Sequence, residues 1–160
     1  MVYYLKYNLL KMAVALFTSR GVKGEVVFTN TPKGVRVRAF FTELPHGEHG
    51  FHIHKAGDLR GEGCKGACDH FHVGEPQNHG GPPGTTSQRH TGDLGNISTD
   101  AGPFEGSYYL AGIQVADLFG RSVIVHGDPD DYGRGGHDDS HTTGHSGARI
   151  GCAVIGRMKC

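Results

Sequence analysis

The chain is 160 residues long, which fits one domain, because single domains cluster near ~100–150 residues and already bury a real core at that size. Sixteen basic and sixteen acidic residues cancel, so no global field favours a nucleic acid or an anionic membrane as partner, and no stretch approaches the ~20 consecutive apolar residues of a membrane helix. Twenty-seven glycines and seven prolines describe short elements separated by many turns, and twelve histidines make imidazole the dominant chemistry.

Residues 1–11 (MVYYLKYNLLK) carry no long apolar run and no clear small-residue cleavage site, so the expectation is an unsecreted, cytoplasmic protein. Met12 is itself a candidate initiator, and 1–11 read as an extension ahead of a single domain over 12–160. Alternating stretches rich in β-branched and aromatic residues then predict eight strands, at Ala13–Thr18, Lys23–Thr29, Val35–Thr42, Gly50–His54, Asp93–Thr99, Glu105–Leu110, Ser122–His126 and Arg149–Ile155. Turn chemistry between them, as in Asn30-Thr31-Pro32-Lys33-Gly34 and Asp100-Ala101-Gly102-Pro103, suits antiparallel hairpins, so the fold class is all-β, a sandwich or flattened barrel. Two segments resist strand assignment, Lys55–Thr91 and Gly127–Ala148. Irregular loops of that length in a compact domain are usually functional.

In Gly50-Phe51-His52-Ile53-His54 the histidines are two apart, so on a strand both leave the same face while Phe51 and Ile53 point to the other. Alone, such a pair is as compatible with a His-rich surface as with a metal site. A third imidazole, His126, ends an apolar strand, and a fourth, His70, lies in the first long loop. Four imidazoles suit Cu(II). His79, His90 and Asp93 add a mixed nitrogen and oxygen set that Zn²⁺ accepts tetrahedrally if one more nitrogen is shared, and His70 is the natural donor. An imidazole bound through both nitrogens is an imidazolate, stabilised by two dications at once, so the two sites would be coupled.

From about Met12 onward the chain resembles the copper-zinc superoxide dismutase family, through GFHIHKAGD, HF, HGGP, RHTGDLGN, VIVHGDPDDYG and GHSGARIGCAVIG, in the family's order. The resemblance implies an eight-stranded Greek-key barrel or sandwich and an enzyme that disproportionates superoxide to dioxygen and hydrogen peroxide. It implies one copper per subunit at His52, His54, His70 and His126, and one zinc at His70, His79, His90 and Asp93. Asp130 matches a carboxylate that links His52 to His79, His49 a histidine at the base of the site, and Cys64 and Cys152 the intrachain disulfide. Arg149 matches the substrate-guiding arginine, Thr143 the threonine opposite it, and His70 the proton carrier. Superoxide is then the substrate, a homodimer the assembly and a copper chaperone a candidate partner, in the cytoplasm, or in a host cytoplasm or virion if a virus encodes the chain.

The chain also departs from the family's pattern. Cys68 and Asp69 replace a Gly-Pro pair before His70, so Cys68 competes on paper with Cys64 for Cys152, or pairs with Cys160. Arg157 stands where family dimers bury an apolar residue. The family's lysine near Thr142 is missing, and His137, His141 and His145, at every fourth position, are expected near the channel mouth instead. Two alternatives carry different features: a copper-delivery or metal-storage protein on the same fold, which can lack copper ligands or the arginine, and a copper-only dismutase, which lacks the zinc-binding segment.

Overall fold

The structure, a computed structural model, describes residues 12–159. The extension 1–11 and Cys160, with its possible pairing, lie outside the described residues. Nine strands form: β1 (Met12–Ser19), β2 (Val22–Thr31), β3 (Gly34–Glu43), β4 (His49–His54), β5 (Asp93–Ile97), β6 (Phe104–Ala111), β7 (Ser122–His126), β8 (Arg149–Val154) and β9 (Gly156–Arg157). All eight expected strands are present, and β9 is an addition.

Two antiparallel sheets face each other, one in the order β6-β3-β2-β1-β9 and one in the order β5-β4-β7-β8. The sandwich is not closed into a barrel. β6 returns beside β3 after β4 and β5 have been laid in the other sheet, and β7 returns beside β4, which are Greek-key crossovers.

The meander β1-β2-β3 follows from period-2 alternation. In β3, Val35, Val37, Ala39 and Phe41 are buried while Arg36, Arg38, Phe40 and Thr42 face out. The β1-β2 turn needs only Arg20 and Gly21, since Ser19 pairs with Val22, and Gly21 takes the positive φ of 88° such a turn demands. Phe41 then packs on Phe17 at 5.1 Å and edge-on to Phe51 at 5.7 Å, which locks the two sheets face to face.

β4 breaks the alternation, because all six of its residues are buried. Phe51 and Ile53 fill the core, and the opposite face, carrying His52 and His54, is covered by the two long loops. The first loop, 55–92, contains a short helical turn at Glu62–Ala67, and the second, 127–148, a single helical turn at Ser140–Thr143. A disulfide joins Cys64 to Cys152 of β8, and Cys68 is a free, exposed thiol. Closing a loop across 88 residues of sequence contributes roughly 4–5 kcal/mol in the chain-entropy account.

Candidate metal centre

β4 lies between β5 and β7, so its histidines sit at the centre of the smaller sheet. His52 pairs with Ile124 and His54 with Ser122, and His126 follows two residues after Ile124 on the same face. The first loop folds back along β4, bridging His54 to His70, with Lys55 N–H donating to Asp69 O at 2.9 Å and Phe71 N–H to Ile53 O at 2.8 Å. Asp93 opens β5 opposite His52.

These elements bring two donor groups together. The ligand atoms of His52, His54, His70 and His126 lie within 4.8 Å of one another, and so do those of His52, His70, His79 and Asp93. All six residues are buried. His90 stands slightly outside the second group, its side chain 15% exposed and its Nδ1 3.5 Å from Asp93 Oδ1.

Hydrogen bonds decide which nitrogen each imidazole offers. His52 Nε2 meets Asp130 Oδ2 at 2.6 Å, His54 Nδ1 meets Cys68 O at 2.8 Å, and His126 Nδ1 meets Gly147 O at 3.2 Å. His79 Nε2 meets Asp130 Oδ1 at 2.8 Å and His90 Nε2 meets Gln77 O at 2.8 Å. Each of these acceptors fixes the N–H on that nitrogen and leaves a lone pair on the other. The freed His52 Nδ1 and His90 Nδ1 are buried without hydrogen-bond partners, His79 Nδ1 lies 3.0 Å from Asp93 Oδ1, and His54 Nε2 faces His126 Nε2 at 3.3 Å, lone pair to lone pair. Only a cation satisfies such a set.

His70 differs from the rest, since its one hydrogen-bond partner, Asp93, is itself a member of the second group. Nδ1 lies 2.8 Å from Asp93 Oδ1 and Nε2 is unpartnered, so the ring offers one nitrogen to each group. Asp93 is itself oriented: Oδ2 accepts from Gly80 N–H at 3.0 Å and His90 N–H at 2.7 Å, which reserves Oδ1 for the imidazoles.

Burial drives the pKa of His52 and His54 well below the usual imidazole range and that of His126 to about 3, with the neighbouring rings adding to the effect on His52 and His54. These rings are neutral, as ligands must be. Burial opposes protonation of His79 as well, but the carboxylates of Asp130 and Asp93, which accept from its two ring nitrogens, outweigh it and raise the pKa to about 9. Burial disfavours the Asp93 anion too, yet contacts with His70, His79 and His90 hold its carboxyl far below the usual range.

A cavity opens onto this cluster, lined by His54, His70, His126, Thr143 and Arg149 among others. Arg149 donates through Nη1 to Cys64 O and through Nη2 to Cys68 O, each at 2.7 Å, which fixes the guanidinium at the rim. Thr143 Oγ1 donates to Asp139 O at 3.3 Å. Of the three loop histidines only His141 lines the cavity; His137 and His145 stack on each other at 3.7 Å, and His145 Nδ1 bonds Asp139 Oδ1 at 2.6 Å. His49 is buried beneath the cluster, its Nδ1 2.8 Å from His126 O and its Nε2 2.9 Å from Pro45 O.

The family profile described as copper/zinc superoxide dismutase (SODC) matches residues 22–155. The chain belongs to the copper/zinc superoxide dismutase family. It is 42% identical over 158 residues to the protein named superoxide dismutase [Cu-Zn] of Paramecium bursaria Chlorella virus 1, covering 95% of this chain and 82% of that one. It is also similar to the crystal structure of the clock protein EA4, with a TM-score of 0.81, 36% identity, and coverage of 94% of this chain and 96% of the other. Copper and zinc are the cofactors of this dismutase, and two adjoining donor groups that overlap at His52 and His70 fit two metals.

Sequence reasoning missed three supporting residues. Asn96 clamps Asp130 from both sides, its Nδ2 donating to Asp130 O at 2.9 Å and its Oδ1 accepting Asp130 N–H at 2.7 Å. Arg89 ties the first loop down through Gly81 O, Thr91 O and Asp93 O. Gly144 ends the helical turn at φ 69°, and a Cβ there would collide with Asp130 Oδ1 and His79 Nε2. All three fall inside or beside segments that carry the family resemblance, but nothing in their spacing marks them.

Proposed function

We propose that this dismutase converts two superoxide anions and two protons to dioxygen and hydrogen peroxide at copper held by His52, His54, His70 and His126, beside zinc held by His70, His79, His90 and Asp93. The observation that carries the reading is the pair of donor groups sharing His70, each edged by buried, unpartnered nitrogens. Copper held there would supply a one-electron couple for the exchange between the two superoxide anions, and zinc, with no redox change, would supply charge and geometry.

The chain's own residues do the rest. Arg149, held by two carbonyls, is a fixed cation for the anion to approach, and Thr143 narrows the cavity on the loop side. His70 Nε2 is the atom that takes up a proton and later gives it to the peroxide, because it is unpartnered on a ring whose other nitrogen, Nδ1, faces Asp93. Asp130 holds His52 and His79 in their tautomers through one oxygen each, and His49 ties Pro45 to the end of β7.

Metal analysis of purified protein alongside a superoxide-consumption assay tests this reading. One copper and one zinc per chain with rapid consumption are expected; full occupancy by both metals with no consumption overturns it in favour of metal storage. A homodimer, copper loading by a chaperone and a cytoplasmic setting, or a host cytoplasm or virion for a virus-encoded chain, belong to the same proposal. Arg157 is exposed, its guanidinium 5.6 Å from the Phe119 ring, so a dimer on that face has a polar contribution, and sedimentation of the wild type against Arg157→Glu tests it. With the domain at 12–160, deletion of residues 1–11 should leave activity per copper unchanged.

A further inference from the structure

Four charged side chains line the cavity above His54, His70 and His126: Lys55, Arg149, Asp69 and Asp139. They sum to zero, although the proposed substrate is an anion. Arg149 is committed to the carbonyls of Cys64 and Cys68, and Asp139 to His145 Nδ1 at 2.6 Å and Thr143 Oγ1 at 3.3 Å. Lys55 and Asp69 are the exposed remainder, their side chains 51% and 87% exposed and meeting only at 3.7 Å between Nζ and Oδ2.

Their position follows from the backbone. His54 bridges His70, so the next residue on one side and the previous residue on the other, Lys55 and Asp69, form the adjoining pair, sealed by Lys55 N–H to Asp69 O at 2.9 Å. The ladder that aligns two ligand imidazoles thereby plants one positive and one negative charge at the rim above them. Asp69 also reaches Arg149: burial lowers the Arg149 pKa, and the Asp69 charge opposes that shift. An exposed pair of this separation adds little to stability, so its effect lies in the field over the opening.

We propose that the Lys55–Asp69 pair sets the rate at which small monoanions enter the cavity, with Lys55 drawing them in and Asp69 holding the rate below what Arg149 alone would support. The identity of the anion as superoxide rests on the dismutase reading above; the field at the rim does not.

The test uses the copper- and zinc-loaded protein, wild type, Asp69→Asn, Lys55→Gln and the double variant. A unit charge about 10 Å from the anion's path changes a capture rate about two-fold at low ionic strength. Superoxide consumption at low salt should therefore run about two-fold faster in Asp69→Asn and about two-fold slower in Lys55→Gln, with the double variant near wild type. The spread should collapse as salt screens it. Azide, a stable monoanion whose binding is followed by the visible spectrum of the copper-loaded protein, should show the same order of affinities. Equal rates and equal azide affinities at low salt overturn the inference, as do differences that persist undiminished at high salt, which would point to packing. If the azide order holds while the fully loaded wild type consumes no superoxide, the dismutase reading fails and the rim assignment stands.

Discussion

Replacing Asp130 by Asn separates the two halves of the metal centre, and the structure indicates which half suffers. Asp130 Oδ1 accepts from Tyr132 N–H at 2.7 Å and from His79 Nε2 at 2.8 Å, whereas Oδ2 accepts only from His52 Nε2 at 2.6 Å. An asparagine at 130 therefore keeps its oxygen at the Oδ1 position, where two donors converge, and turns its NH₂ toward His52. Two N–H groups then face each other across a buried contact, so His52 must give up its tautomer or its position. A buried donor without an acceptor costs roughly 1–3 kcal/mol. At 1.36 kcal/mol per decade this corresponds to about a ten- to hundred-fold loss of affinity, the range expected when a ligand loses its supporting carboxylate. Competition of the loaded protein against a chelator, followed metal by metal, should show copper weakened by that factor and zinc nearly unchanged. Unchanged copper affinity, or zinc lost first, would refute the argument.

Three further variants probe the other parts of the site. His126→Gln removes a ligand from the copper group alone, so superoxide consumption should fall to near background while zinc content persists; retained activity would sink the copper assignment. Arg149→Glu inverts a fixed charge at the rim and should slow capture at least roughly tenfold at low ionic strength, with both metals bound and a weaker salt dependence than wild type. Gly144→Ala adds a Cβ against Asp130 Oδ1 and His79 Nε2 at a backbone φ of 69°, so zinc should be released to a chelator more readily than from wild type, and equal retention would show that the loop moves aside.

How much was legible in the sequence depended on what buried each element. β1, β2 and β3 have one face in the core and one in water, so their alternation announces them, and their bounds were missed by no more than two residues at either end. β9 pairs Gly156 and Arg157 with Val14 and Ala13, and two residues carry no period to detect. β4 is buried on both faces and shows no polar alternation; it is marked only by its histidines, above all the pair His52 and His54. His70, His79 and His90 of the first loop stood out through family resemblance, since the spacings among them do not encode convergence. The loop histidines show the opposite failure. All three were expected near the channel mouth, but the helical turn spans only Ser140–Thr143 and stops at Gly144, so His137 precedes it and His145, at φ 53°, follows it. Only His141 is left on the cavity, and the other two satisfy each other by stacking.

The division of labour between strands and loops explains why the loops cannot be shortened without consequence. The smaller sheet supplies His52, His54, His126 and Asp93, yet apart from Asp93 itself, which meets His70, the acceptors that set the imidazole tautomers come from the two loops: Cys68 O and Gln77 O from the first, Asp130 and Gly147 O from the second. A strand can place a ring within a few ångströms of a metal, but it cannot choose which nitrogen the ring presents. That choice is made by carbonyls whose positions depend on how the loops are tied down. The ties are few and specific: the Cys64–Cys152 disulfide and the Arg149 fork for the segment carrying Cys68, Arg89 for the segment running up to Asp93, and Asn96 for Asp130. Arg149 is part of the same network, since the two carbonyls that fix it at the rim include the one that orients His54. The guanidinium at the cavity rim and the imidazole beneath it are therefore set by one carbonyl, and displacing either disturbs the other.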